Sequence, residues 1–190
     1  MDNEVIRCGW VPLNKPTYVK YHDEEWGVPV YDDQKMFEFL VLESFQAGLS
    51  WEIVLNKREN FRTDFAQFDF NQVAGFGEDK VQEMLQDKGI VRNQLKIRAA
   101  INNAQRFLDV MEEFGSFCKY FWGFTDGKPI VNTFKTLEEI PASTPLSDTI
   151  AKDLKKRGFK FLGTTVIYAH MQAIGMVNDH LEACFRYSEV

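Results

Sequence analysis

The sequence predicts an all-α fold. Apolar residues recur at three- and four-residue steps in nearly every segment, aspartate and glycine stand where such runs begin and end, and only one stretch reads as extended chain. Asp32 or Asp33 caps a first helix through MFEFLVLESFQ, whose apolar residues crowd nearly all faces and so predict burial. GLS at 48–50 interrupts it, and WEIVLNKRENF resumes as helix. GEDKVQEMLQDKG is a short helix closed by Gly89 as a left-handed terminator. NQLKIRAAINNAQRFLDVMEEFG then places Ile97, Ile101, Ala104, Leu108 and Met111 on one face. SFCKYFWGF is another short helix, and DGKPIVNTF is a turn with extended chain, the one place for a strand pair. PLSDTIAKDLKKRGF is a helix whose last turn carries Lys155, Lys156 and Arg157, with Gly158 closing it. TTVIYAHMQAIGMV repeats the pattern through Val166, His170, Ala173 and Val177, and NDHLEACF adds a last helical turn or two. The total is about eight or nine helices and no sheet.

A chain of 190 residues allows one compact domain over 1–190, with two helical lobes flanking a pocket as a variant. Hydrophobic residues make up 45% and include 17 Phe, enough for a core without covalent staples. The net charge of −6 excludes a generally basic polyanion binder, so any nucleic-acid contact uses a local basic patch or main-chain N–H groups. The acidic N-terminus has no secretory h-region, and no apolar run is long enough to cross a membrane. Three cysteines are an odd number and not a disulfide framework, which points to a reducing, cytoplasmic compartment.

Cys8 and His22 lie near one end of the chain, His180 and Cys184 near the other. On a helix the H-x3-C pair projects from one face, and Cys₂His₂ is a usual tetrahedral zinc set. The competing reading is four unrelated residues with the cysteines buried as small hydrophobes. Glu43 follows Phe39, Leu40, Val41 and Leu42 in a run apolar on nearly every face. A carboxylate there turns outward, accepts hydrogen bonds from its own fold, or faces a pocket awaiting a donor from a ligand. Tyr18, Tyr21, Trp26 and Trp51 are either core or a stacking box for a flat ligand. The turn in DKGIVRNQLKIRAA, with Arg92, Lys96 and Arg98 nearby, offers main-chain N–H groups to an anion, although many helical hairpins look alike. His170, on an apolar stripe, reads as a satisfied core histidine, and Cys118 as core.

Taken together, RCGW, YVKYHDEEWGVP, LESFQAGLSW, KRGFKFLGTT and NDHLEAC closely resemble the type I bacterial 3-methyladenine DNA glycosylases, over about residues 7–187. The resemblance implies a helix–hairpin–helix glycosylase fold, base-excision repair of alkylated duplex DNA, one structural zinc, and a monomer that releases free 3-methyladenine. It matches Cys8, His22, His180 and Cys184 to the zinc ligands, Glu43 to the base-recognising carboxylate counted here as the catalytic residue, and Tyr18, Tyr21 and Trp51 to the aromatics around the flipped base. Leu49 resembles the side chain that plugs the gap left in the duplex. KGIVRN, read as the hairpin, lacks a G-x-G turn, and no catalytic Asp can be assigned after it.

The expected function is therefore monofunctional hydrolysis of the N-glycosidic bond of N3-methyladenine. No lysine stands out as a Schiff-base nucleophile. The alternative from another class is a non-catalytic, zinc-stabilised DNA-binding module, in which Glu43 and the aromatics are core. A third reading is a pocket protein for free purines. Salt-sensitive binding to duplex DNA separates the first two from the third, and release of free base separates the first from the second.

Overall fold

The computed structural model describes residues 5–190; the first four residues of the acidic N-terminus lie outside it. Among the described residues ten α-helices carry the chain, slightly more than periodicity predicts, because one predicted helix breaks in two and two were not anticipated, while the last predicted one is not α-helical. α1 (Pro16–Glu24) is the first of the unanticipated two. It starts on a proline, which lacks the N–H that a first turn leaves unpaired anyway. Its apolar content is too thin for a periodicity signal, but Tyr18, Tyr21 and His22 fall at i, i+3 and i+4 and share a face.

α2 (Asp33–Gln46) is the central helix, buried at every position from Met36 to Phe45. Asp32 is its cap, accepting from the Lys35 amide at 2.8 Å. Asp33 instead accepts from the Cys118 amide at 2.7 Å and ties α2 to α8 (Phe117–Trp122). The segment expected as one helix after residue 50 breaks at Lys57 into α3 (Trp51–Asn56) and α4 (Arg58–Asp64). The break lets Arg58 turn inward, where it bonds Glu38 of α2 at 2.8 Å. A five-residue helix, α5 (Phe70–Ala74), is the second unanticipated element; Asp69 caps it.

α6 (Glu78–Gln86) ends three residues before Gly89. Gly89 has no left-handed backbone, so its expected role as terminator is wrong. It is there for space: a Cβ would overlap the Asn60 side-chain amide. α7 (Gln94–Phe114) confirms the longest predicted helix, capped by Asn93 and closed by Gly115 at φ +88°. α9 (Pro145–Lys156) begins with a reciprocal Thr144–Ser147 cap and is followed by Gly158 at φ +92°, as expected. α10 (Thr164–Ala173) stops short of Val177.

Val177 belongs to a strand. β1 (Ile130–Val131) pairs in parallel with β2 (Val177–Asn178), Ile130 opposite Val177 and Val131 opposite Asn178. The extended segment was legible, but its partner sits 47 residues away in a stretch that reads as the end of a helix. The final segment is also not α-helical: a turn precedes a short 3₁₀ helix, Phe185–Ser188. One contiguous apolar cluster joins α2, α7, α8 and α10, with Phe107 and Phe117 stacked at 4.0 Å. No helix of the described residues is long and apolar enough to cross a membrane.

Candidate active site and metal cluster

A cavity of about 400 Å³ opens between α1, α2, α3 and α10. Tyr18 and Tyr21 come from α1, Glu43 and Gln46 from α2, Trp51 from α3, Ala169 and Gln172 from α10. Trp10 and Trp26 close one side, Leu137 and Ile140 another. Tyr21 and Trp51 meet at 5.2 Å between ring centroids, tilted by 49°, and Trp10 meets Trp26 edge-on at 4.9 Å. The four sequence-predicted pocket residues are thus brought together. Trp26, singled out by sequence, joins them. Trp10, in a turn before α1, and Gln46 and Gln172, near the ends of α2 and α10, were missed, since single residues at such places carry no pattern.

Glu43 is 4% exposed. Desolvation is the only influence on its carboxyl and pushes the pKa up to about 8; no side chain or amide donates to it. Of the three readings open from sequence, the fold therefore satisfies neither the outward turn nor internal hydrogen bonding. Burial, followed by the charges of Glu52 and Glu43, holds the Tyr18 phenol above its usual range, and burial followed by the charge of Glu43 does the same for Tyr21. The pocket thus presents neutral phenols and a carboxyl with no partner in the fold.

Leu49 sits in the loop between the cavity-lining Gln46 and Trp51, 36% exposed. The loop is held tightly. The Leu49 amide donates to Gln46 O at 2.7 Å, the Gln46 amide returns a bond to Leu49 O at 3.0 Å, and Gly48 supplies the φ of +80°. Lys96, expected to add positive charge beside the turn at 88–93, is buried. Its ammonium donates to Phe45 O at 2.8 Å and Ala47 O at 2.5 Å, capping the end of α2 beneath this loop. Arg98 pairs with Glu78. The turn at 88–93 therefore offers less free positive charge than its sequence suggests, and Asn93 already occupies the Lys96 amide at the start of α7.

A second helical hairpin lies between α9 and α10. Two α7 side chains clamp its turn: Asn103 bonds both the amide and the carbonyl of Lys160, at 2.8 and 2.9 Å, and Asn102 bonds Gly158 O at 2.9 Å. α10 begins at Gly163 with no side-chain cap and open space around that residue. After α10 comes Asp179, fully buried and bonded by Asn132, Tyr168 and Gln172 at 2.6–2.8 Å. A carboxylate with three donors is an anchor, not a free base.

Cys8, His22, His180 and Cys184 converge behind the cavity with their ligand atoms within 4.8 Å of one another, all four buried. His180 and Cys184 come together on a turn, not on the helix the spacing suggested. Three of the sulfur–nitrogen edges are 3.5, 3.5 and 3.6 Å. A tetrahedral ion with bonds of about 2.3 Å to sulfur and about 2.05 Å to nitrogen needs edges of about 3.5–3.6 Å. The outer ring is also in place. His22 Nδ1 faces Asp23 at 2.7 Å, Asp23 is gripped by Arg7, and His180 Nε2 faces Trp26 O at 3.0 Å. Those bonds leave His22 Nε2 and His180 Nδ1 facing the sulfurs, the arrangement that suits a metal. Gly27, at φ +80°, is the close neighbour; a Cβ there would lie 2.9 Å from His180 Nε2. The cluster braces the pocket, since Trp10 packs on His22 and Trp26 on His180.

A larger cleft of about 700 Å³ lies on the far side of Tyr21. Its cations are already partnered: Arg58 bonds Glu25 and Glu38, and Lys35 bonds the same two. His170 is fully buried against Phe121 with neither ring nitrogen bonded, so it is core but not satisfied; burial holds it neutral, with a pKa of about 3.

Comparison with known proteins decides the family. Residues 10–187 match the model of the methyladenine glycosylase family. This chain belongs to the methyladenine glycosylases. Among methyladenine glycosylases it is 50% identical to DNA-3-methyladenine glycosylase 1 of Escherichia coli, over 95% of this chain and 96% of that protein. A crystal structure of 3-methyladenine DNA glycosylase I superposes with a TM-score of 0.91 at 51% identity, covering 95% of this chain and 98% of that one. The Staphylococcus aureus glycosylase, solved to define 3-methyladenine recognition, gives 0.88 at 34% identity, covering 90% and 91%.

Proposed function

We propose that this protein binds N3-methyladenine turned out of alkylated duplex DNA and hydrolyses its N-glycosidic bond, leaving an unbroken abasic strand. The observation that carries this is Glu43: a carboxyl buried among aromatic rings with no donor in the fold. Methylation at N3 makes the purine cationic and weakens its bond to deoxyribose. The base leaves neutral and needs no general acid, while the sugar develops oxocarbenium character. What remains for the protein is recognition and extrusion, which costs a few kcal/mol and less for a damaged base.

In this reading Trp51 and Tyr21 stack on the cationic ring, worth about 0.5–2 kcal/mol over a neutral purine, and Tyr18 completes the wall. Glu43 is the catalytic residue: it ionises as the cation enters and accepts from the exocyclic amine. Once ionised against the cation, Glu43 can only accept, and the oxygen that a guanine lesion presents there leaves it unpaired. Leu49, on its tightly bonded loop beside the pocket, fills the gap in the duplex. The uncapped start of α10, with Lys155 and Lys160 close by, is the better-placed phosphate site, so the helix–hairpin–helix element is assigned to the turn over 157–163 in place of 88–93. The Cys8, His22, His180 and Cys184 cluster holds one zinc ion, which supplies folding energy and no reaction step, because all four positions are protein ligands. The protein acts as a monomer in the cytoplasm.

Titration with free 3-methyladenine tests the pocket. Binding that weakens in Glu43→Gln and Trp51→Ala supports the reading; equal affinity in all three proteins contradicts it.

A further inference from the structure

We propose that Gln172 is a second base-reading residue, its amide oxygen turned into the pocket by Asp179. The inference rests on the 3-methyladenine reading and deepens it. An exocyclic amine carries two N–H bonds, and Glu43 in one position accepts only one of them linearly. Gln172 lines the same cavity from α10 and is half-buried. A glutamine amide presents a donor on one arm and an acceptor on the other, and the two are exchanged by a half-turn. Here the choice is made by chemistry. Gln172 Nε2 lies 2.8 Å from Asp179 Oδ2, which accepts from it and from the Tyr168 hydroxyl. The nitrogen must therefore face Asp179, and the oxygen, which receives no bond from the described residues, is the arm left for a ligand.

Asp179 is well fixed for this work. It is fully buried, Asn132 bonds its other oxygen at 2.7 Å, and the Tyr168 hydroxyl shares Oδ2 at 2.6 Å. It follows directly on β2, so the pairing of β2 with β1 is what holds it beneath α10. Asp179 is accordingly a positioning residue, and Gln172 a specificity-determining one. Both pocket acceptors, Glu43 and Gln172, then favour an amine and disfavour a carbonyl at the same edge of the purine.

The test compares free 3-methyladenine with free 3-methylhypoxanthine, which carries oxygen in place of the amine, in competition titrations. Gln172→Met keeps the length and removes the acceptor. It should weaken 3-methyladenine binding about two- to tenfold, the range of one neutral hydrogen bond, and reduce the preference over 3-methylhypoxanthine by a similar factor, with an unchanged Tm. Asp179→Asn frees the amide to turn over; it should reduce the same preference, and combining it with Gln172→Met should add nothing further. An unaltered preference in Gln172→Met overturns the proposal whatever Asp179→Asn does. If Asp179→Asn lowers Tm without changing the preference, Asp179 is only structural and that half of the proposal fails. Loss of binding in Glu43→Gln alongside an unaffected Gln172→Met keeps the wider reading and rejects this one; loss in neither rejects both.

Discussion

Replacing Glu43 by Gln should stabilise the folded protein at alkaline pH while weakening the pocket. Burial raises this carboxyl from its ordinary 4.5 to about 8, with no compensating partner. In the unfolded chain it titrates near its ordinary value, so between those two pH values the folded state binds the extra proton. Stability therefore falls as pH rises through the window. Below 4.5 both states are protonated and the residue contributes nothing. Above 8 both are ionised and the folded state carries the full cost of an unpaired buried carboxylate. At ~1.36 kcal/mol per pH unit, the window corresponds to about 5 kcal/mol. Glutamine has the same shape and does not titrate. Urea unfolding of both proteins at intervals from pH 5 to 9 isolates the residue, because Asp64, His170 and the other titrating groups are common to both. The difference in unfolding free energy should grow in favour of Glu43→Gln by several kcal/mol and level off above pH 8. A difference that stays flat across the range would refute the desolvated carboxyl, and with it the argument that Glu43 is held ready for a cationic ligand.

Three further outcomes follow from the same geometry. Trp51→Ala should weaken free 3-methyladenine binding by about 1–3 kcal/mol, on the scale of base–aromatic stacking, measured by fluorescence or calorimetry. Cys184→Ser should lower zinc content well below one ion per chain by elemental analysis and reduce Tm, since a metal site is folding energy. Lys96→Met should leave Phe45 O and Ala47 O without their buried donor, cost about 2 kcal/mol of stability, and raise the KM for methylated DNA more than the Kd for the free base, because the loop carrying Leu49 is loosened while Glu43 stays in place.

Much of the helical frame was legible because its causes are local. Asp32, Gly115 and Gly158 act on the backbone beside them, and the stripe through Ile97 and Ala104 needs no distant partner. What was illegible depends on contacts across the chain. Gly89 looks like a terminator but serves Asn60, 29 residues earlier. Lys96 looks like added positive charge beside the turn at 88–93 until the end of α2 is placed against it. α1 is too polar for a periodicity signal, although Pro16 and the Tyr18, Tyr21, His22 spacing would have revealed it. Val177 continues an apolar stripe, and only Ile130 makes it a strand. Glu43 and the Cys–His set stood out because a carboxylate in an apolar run, and two Cys–His pairs at the chain ends, are anomalies at the level of residues. Trp10, Gln46 and Gln172 are ordinary residues made significant by where their elements meet.

The central claim is that a buried, unpartnered carboxyl selects an adenine lesion for excision. Chromatography of the bases released from methylated duplex DNA tests it most directly, because 3-methyladenine and 7-methylguanine are both cationic and share a weakened glycosidic bond. Bond weakness alone releases both in proportion to their abundance; a pocket built around Glu43 releases the adenine lesion and rejects the guanine carbonyl. The account predicts 3-methyladenine in large excess, an unbroken strand, and loss of that excess in Glu43→Ala. Release of both bases in proportion to their abundance, or of neither above the spontaneous background with DNA still bound, would contradict it.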